Sequence, residues 1–151
     1  MKKKSKNPLS VSHPQWGAER LYYLSGLLWE NGFYALAMII KRVNQIIFHV
    51  NIPPRVKIGK RLDLPHGGFG VVVHDDTIIG DDAVIFHNVT IGNGGARIGN
   101  SVYIGAGAVI IGAVTIGHNV VIGANTVVNF DVPDNVTVVG QKAVILSKKE
   151  F

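Results

Sequence analysis

Two hydrophobic patterns divide the chain, and they meet near residue 51. In the first part, apolar residues recur every three or four positions, a spacing typical of amphipathic helices. One helix is predicted from a start signal at Ser12 to about Trp29, and a second ends before Pro53. The pattern therefore predicts a helical hairpin over residues 13–50.

In the second part, aliphatic residues recur every six positions. The twelve repeated positions are Ile58, Leu64, Val73, Ile79, Ile85, Ile91, Ile98, Ile104, Ile110, Ile116, Ile122 and Val128. Turn-forming residues, including several aspartates, occupy the third and fourth positions of the units. A period of six fits a short strand and a tight turn, with the aliphatic side chain pointing inward each time. The pattern predicts a mainly β fold, a parallel β-helix of about four coils over residues 51–146.

The repeat is interrupted at LPHGGFG, residues 64–70, where the spacing of the aliphatic positions lengthens from six to nine. The glycines around His66 allow the backbone to bulge out of the coil, so that a side chain there can face a groove. An imidazole suits removal of a proton from an alcohol, because its unperturbed pKa of about 6.5 lies near neutral pH. His66 is a candidate general base, although these residues alone leave a plain structural role open.

Composition excludes several classes of function. The chain contains no cysteine, which excludes disulfides, a thiolate nucleophile and cysteine-based zinc sites. Its formal charge is +5, but four of the 15 positive residues lie within the first six positions. We predict a basic flexible tail over residues 1–12 and a second tail over 147–151. No nucleic-acid motif is present, and no nucleic-acid partner is expected.

The apolar residues between 21 and 40 are interrupted by Glu30, Asn31 and Gly32. No run reaches the roughly 20 residues that a membrane-spanning helix needs. A cytoplasmic protein is expected. Peripheral contact of the basic, amphipathic N-terminal region with the inner face of the membrane is an alternative that the sequence leaves open.

Several segments carry a resemblance to a known family. The units IGAGA and IGANTVV resemble the left-handed β-helix of hexapeptide-repeat acyltransferases. Within that superfamily, LDLPHGGFGVVV, IFHNVTIGN, YIGAGAVIIG and DVPDNVTVVG are most similar to serine acetyltransferases and to shorter relatives that acetylate bacterial polysaccharides. The resemblance implies a left-handed coil, a homotrimer, an acetyl-CoA groove along each subunit boundary, and His66 as the catalytic base.

The resemblance also implies partners for His66. Serine acetyltransferases pair the catalytic histidine with an aspartate fifteen residues earlier, where this chain has Asn51. An amide can fix the imidazole tautomer but cannot stabilise imidazolium as a carboxylate does. Asp63 is an alternative partner. His87 and His118 are rivals of His66 for the role of base, because some sugar and lipid-precursor acyltransferases of the superfamily hold their base at this position of the repeat. His87 lies about one coil beyond His66 and is also a candidate to orient the donor or the acceptor, whereas His118 is expected to be a corner residue.

On the donor side, Gly92, Ala106 and Ala124 match positions where the family's backbone runs against the pantetheine arm of acetyl-CoA. Lys142 is a candidate for contact with the nucleotide phosphates, and a solvated tail is the alternative. A zinc-dependent relative is not favoured, because the histidines lack the spacing of a three-histidine site. No metal is expected.

The acceptor is inferred from a shortened loop. The family's serine-binding loop is reduced here to GNGGARIG, in which Arg97 is the remaining charged residue. A small zwitterion needs charged partners, so we expect the acceptor to be a sugar hydroxyl on a polysaccharide or its precursor. Serine O-acetyltransferase is the alternative. A non-catalytic trimeric scaffold is the contrasting class.

Overall fold

The computed structural model describes residues 17–140, which form two helices followed by a prism of short parallel strands. Helix α1 spans Ala18–Glu30 and helix α2 spans Tyr34–Ile47. The predicted start of the first helix and both predicted tails lie outside the described residues. The domain boundaries given above stay predictions.

The prism is built from two-residue strands. They are β1 (Lys57–Ile58), β2 (Val72–Val73), β3 (Ile78–Ile79), β4 (Val84–Ile85), β5 (Thr90–Ile91), β6 (Arg97–Ile98), β7 (Tyr103–Ile104), β8 (Val109–Ile110), β9 (Thr115–Ile116), β10 (Val121–Ile122), β11 (Val127–Val128) and β12 (Thr137–Val138). The first sheet is β1-β3-β6-β9, the second β4-β7-β10-β12 and the third β2-β5-β8-β11. Because the chain visits the sheets in rotation, each corner between two sheets recurs once per coil.

An isolated β-bridge extends each sheet by one further coil. Val132 continues the first sheet, Asp63 precedes the second and Asn51 precedes the third. The predicted parallel β-helix is confirmed, but it has about five coils and not about four. Counting hexads from Ile58 to Val128 missed the two ends of the prism, where Asn51 and Val132 pair through single bridges and β12 lies beyond Val128.

The repeated aliphatic residues fill the prism. Ile85, Ile91, Ile104 and Ile110 are completely buried, and equivalent residues of successive coils are register partners, as Ile85 is with Ile104. Each fully buried isoleucine contributes about 1.5–3 kcal/mol. Ile58, in the first coil, is only partly buried.

Helix α1 covers the open edge of the first coil. The Tyr22 hydroxyl donates to the Val56 carbonyl at 2.6 Å. The Tyr23 hydroxyl donates to the Gly59 carbonyl at 2.6 Å and accepts from the Leu62 N–H at 3.1 Å. Burial raises the pKa of both tyrosines, so they remain protonated donors near neutral pH. These contacts satisfy backbone groups that have no earlier coil to pair with.

Helix α2 presents much of its apolar surface to solvent. Ile39 and Ile46 are 59% and 67% exposed. The helix is buried instead at Ala37 and Asn44, and Asn44 Nδ2 donates to the Ala18 carbonyl at 2.9 Å. Within residues 17–140, no helix is both long enough and apolar enough to cross a bilayer. Contact of the hairpin with a membrane surface stays a prediction.

A ladder of polar side chains follows the corner between the first and second sheets. Asp81, Asn100, His118 and Asp134 each accept a hydrogen bond from a backbone N–H one coil earlier, at 2.7 to 3.0 Å. His118 accepts through Nδ1, so a neutral ring carries its proton on Nε2. His118 is therefore a corner residue, as its repeat position predicts.

An ion pair at the same corner predicts a pH-dependent contribution to stability. Arg61 donates to both carboxylate oxygens of Asp82, at 2.5 and 2.6 Å, and this hydrogen bonding lowers the pKa of Asp82. The contribution is present above the unfolded-state pKa of about 3.9 and is lost as the pH falls through the lower folded-state pKa. Both side chains are about half exposed, so solvent screening should keep the coupling weak.

Urea unfolding of Asp82→Asn, Arg61→Gln and the double variant measures this coupling as a double-mutant cycle. The coupling energy should be measurable at pH 7 and should shrink as the pH is lowered below 4. An equal coupling at pH 7 and in acid would contradict the assignment of the effect to the ionised carboxylate.

Candidate active site

His66 lies in a short turn, Pro65–Gly68, that interrupts the coil between the second and third sheets. Its backbone is left-handed, with φ 60° and ψ 26°, and Gly67, Gly68 and Gly70 also have positive φ. Histidine tolerates this conformation better than most non-glycine residues. The turn leaves the imidazole exposed at the surface, where an acceptor hydroxyl can approach it.

The His87 ring lies beside the His66 ring. Their centroids are 5.3 Å apart and the planes meet at 80°. His87 occupies the same corner one coil later, and its Nδ1 is buried without a hydrogen-bond partner. The three-residue insertion thus lets His66 project next to a histidine of the following coil.

Aromatic side chains extend the site along the outside of the second sheet. The Phe86 ring centroid is 6.1 Å from that of His66 and 5.0 Å from that of Tyr103. Sequence reasoning did not single out either Phe86 or Tyr103. Their positions follow the strand alternation that points them outward, but contact with His66 depends on the conformation of the inserted turn.

Asn51 lies at the first bridge of the third sheet, opposite Val72. Its backbone pairs with Val71 and Val73, and its Oδ1 is buried without a hydrogen-bond partner. This structure therefore shows no Asn51–His66 hydrogen bond, and orientation of His66 by Asn51 stays a prediction. Asp63 is part of the bridge with Val84, two residues before the turn.

Small residues follow the two histidines along one edge of the prism. We call this edge, residues 64–70, 86–88, 105–107 and 123–125, the histidine corner. The Gly107 N–H donates to the His87 carbonyl at 3.1 Å, and the Asn125 N–H donates to the Ala106 carbonyl at 2.9 Å. The predicted donor-site residues Ala106 and Ala124 thus occupy the same column as His87, one and two coils further on.

The other predicted donor-site residues do not share this edge. Gly92 follows β5 at the corner between the third and first sheets, a different edge of the prism. Lys142 lies outside the described residues. Arg97 is exposed on β6 of the first sheet. Among the described residues, no group of three or more His, Asp or Glu side chains is arranged to hold a metal ion.

Comparison with known proteins agrees with this architecture. The family model described as bacterial transferase hexapeptide (six repeats) matches residues 95–129. A serine acetyltransferase of Helicobacter pylori is 40% identical over 134 residues, which cover 84% of this chain and 78% of that protein. The chain belongs to the serine acetyltransferase family.

Solved serine acetyltransferases share the fold over most of the chain. The Neisseria gonorrhoeae serine acetyltransferase in complex with serine has a TM-score of 0.76 and 36% identity, covering 85% of this chain and 55% of that one. A serine acetyltransferase in complex with CoA has a TM-score of 0.77 and 33% identity, covering 85% and 55%. The chain thus spans about half the length of these solved members of the family.

The expected sugar acceptor is wrong. The Helicobacter pylori relative is a serine acetyltransferase, and a solved neighbour is a complex with serine. These findings support the serine alternative over acetylation of a polysaccharide. The inference from the shortened loop at GNGGARIG failed, because an absent loop shows which contacts are missing and does not identify the acceptor.

Proposed function

We propose that this chain is a serine O-acetyltransferase that uses acetyl-CoA as the donor. The main support is the geometry of the candidate site. His66 is exposed on a left-handed turn, the centroid of the His87 ring lies 5.3 Å from that of His66, and small residues continue along the histidine corner. This arrangement offers a base next to a track without bulky side chains. The family membership supports both substrates.

In the proposed reaction, a neutral ring nitrogen of His66 removes the proton from the serine hydroxyl. The hydroxyl oxygen forms a bond to the thioester carbonyl carbon, and the bond from that carbon to sulfur breaks. The proton on His66 then passes to the departing thiolate, giving O-acetylserine and CoA. General base catalysis of this kind contributes about 10²- to 10⁴-fold to the rate.

His87 is proposed to orient one of the substrates. Its ring stands nearly perpendicular to that of His66, and its buried Nδ1 lacks a hydrogen-bond partner within the described structure. A buried polar atom without a partner costs free energy that a bound group can recover. Asn51, whose Oδ1 is also unpartnered, is proposed to fix the His66 tautomer when substrate draws the two side chains together.

Acetyl-CoA is proposed to lie between two subunits of a homotrimer. Ala106 and Ala124 occupy the histidine corner, whereas Gly92 occupies another edge of the same prism. A single groove that includes all three positions therefore needs the histidine corner of one subunit and the Gly92 edge of the next. Small residues on both edges leave room for the pantetheine arm.

The test is thiol release from acetyl-CoA by the purified full chain, with L-serine as acceptor and glycine as a matched zwitterion without a hydroxyl. Saturable release with serine and none with glycine is expected, and sedimentation equilibrium should give the mass of three chains. Acetyl-CoA binding without serine-dependent release would refute the acceptor, and absence of acetyl-CoA binding would refute the enzyme assignment.

A further inference from the structure

We infer that Glu19 is a positioning residue for His66 and acts through the backbone of Leu64. The inference rests on the proposed function, in which His66 is the base. Glu19 is 4% exposed although it belongs to a helix in the N-terminal hairpin. Its Oε1 accepts a hydrogen bond from the Leu64 N–H at 2.9 Å, across 45 residues of sequence. Leu64 is the residue directly before the Pro65–Gly68 turn that contains His66.

The contact is made where regular coil pairing stops. Asp63 is the last residue before the turn with ladder hydrogen bonds to the next coil, through its N–H to Ala83 and its carbonyl to Ile85, both at 2.9 Å. Coil-to-coil bonds resume at Phe69, whose carbonyl accepts from the Asn88 N–H at 2.8 Å, and at Gly70, whose N–H donates to the His49 carbonyl at 3.1 Å. Glu19 therefore holds the chain at the start of the interval in which coil-to-coil bonds are interrupted.

A carboxylate is a strong anchor in this place. Hydrogen bonds to an ionised acceptor are roughly twice as strong as neutral ones. The Leu64 side chain is 2% exposed, and a Cβ built on Gly68 would lie 3.0 Å from its Cδ1. Fixing Leu64 thus fixes the surface on which the end of the His66 turn packs.

The turn itself has little intrinsic rigidity. Three glycines follow His66 within four residues, and glycine loses more conformational freedom on folding than any other residue. Anchors on both sides are needed to hold His66 in one geometry. A displacement of about 1 Å of a catalytic group can cost about 100-fold in rate.

Helix α1 supplies a matched control. Tyr23 lies on the same helical face and makes the same kind of contact to the same coil, with its hydroxyl accepting from the Leu62 N–H at 3.1 Å. That contact lies two residues before Leu64 and outside the turn. Tyr23→Phe removes a backbone anchor of the coil without touching the anchor of the His66 turn.

The experiment compares Glu19→Ala, Glu19→Gln and Tyr23→Phe in the full chain, with serine-dependent thiol release and thermal unfolding measured for each. We expect Glu19→Ala to lower kcat by about 10- to 100-fold, with KM for acetyl-CoA changed less than about twofold. Glu19→Gln keeps an oxygen acceptor and should recover most of kcat. Tyr23→Phe should lower thermal stability yet keep kcat within about threefold of wild type. Parallel losses of kcat in Glu19→Ala and Tyr23→Phe would overturn the inference.

Hydrogen exchange of residues 64–70 separates this inference from the proposed function. If His66→Asn is inactive while Glu19→Ala keeps full kcat, the positioning role is wrong and the base assignment stands. If His66→Asn is fully active, or if the wild type does not use serine, the proposed function fails. The hydrogen-exchange rates of residues 64–70 then test the positioning role independently of activity. Faster exchange of the turn in Glu19→Ala, with no change in Glu19→Gln or Tyr23→Phe, supports it, and unchanged exchange overturns it.

Discussion

Replacing His66 by asparagine is expected to lower kcat for serine-dependent thiol release by about 10²- to 10⁴-fold. Asparagine tolerates the left-handed backbone found at this position, with φ 60°, so the turn should keep its conformation. The amide has no basic nitrogen and cannot take the proton from the acceptor hydroxyl. Because His66 is exposed and its ring does not belong to the buried core, the free energy of unfolding should change little.

The measurement is steady-state kinetics together with acetyl-CoA affinity by calorimetry. His118→Asn is the matched control, because an asparagine oxygen can accept from the Asn100 N–H as His118 Nδ1 does at 3.0 Å. That variant should keep kcat within about twofold, since the corner it occupies is not the histidine corner. Full activity of His66→Asn would show that another group is the base, and an equal loss in His118→Asn would show that the loss is not specific to His66.

The fold could be predicted from the sequence because its information is local and periodic. Each coil repeats the same short strand and corner, so a residue such as Ile104 is assigned to the core by its spacing alone, and it is fully buried. The bulge at His66 is visible for the same reason, as three extra residues in a regular repeat. The closeness of His66 and His87 also follows, because they belong to adjacent coils at one corner.

Contacts between distant parts of the chain left no periodic signal. Glu19 reaches Leu64 across 45 residues, and nothing near Glu19 in sequence distinguishes it from a solvated helix residue. The sequence shows the apolar stripe of α2, but it does not show what covers that stripe. In the structure, Ile46 is 67% exposed. Hydrophobic spacing predicts which face of a helix is apolar, but it does not identify the surface that buries this face.

The acceptor was mispredicted for a related reason. Loss of the family's long loop changes the segment between Ile91 and Ile98. These two aliphatic positions are seven residues apart, and that spacing does not indicate which acceptor binds. The structure shows how the shorter segment closes. Gly94 has φ +128°, and a Cβ built on it would lie 2.3 Å from the Gly112 carbonyl carbon. The two backbones are thus in direct contact between successive coils.

This contact predicts that Gly94→Ala strongly destabilises the coil, by about 3–5 kcal/mol. A methyl group would overlap Gly112 and Ala113 backbone atoms, at 2.3 to 2.6 Å. The Gly112 N–H donates to the Asn93 carbonyl at 3.0 Å, and backbone held in this way cannot move away as a side-chain end can. Gly32→Ala is the matched control, because Gly32 also has a positive φ, +83°, but nothing lies within 4 Å of a Cβ there. The free energy of unfolding of Gly32→Ala should fall only by the cost of backbone strain, about 1–2 kcal/mol. Urea unfolding of both variants checks the difference, and equal losses would mean that close approach of the Gly94 and Gly112 backbones does not set the geometry of the shortened loop.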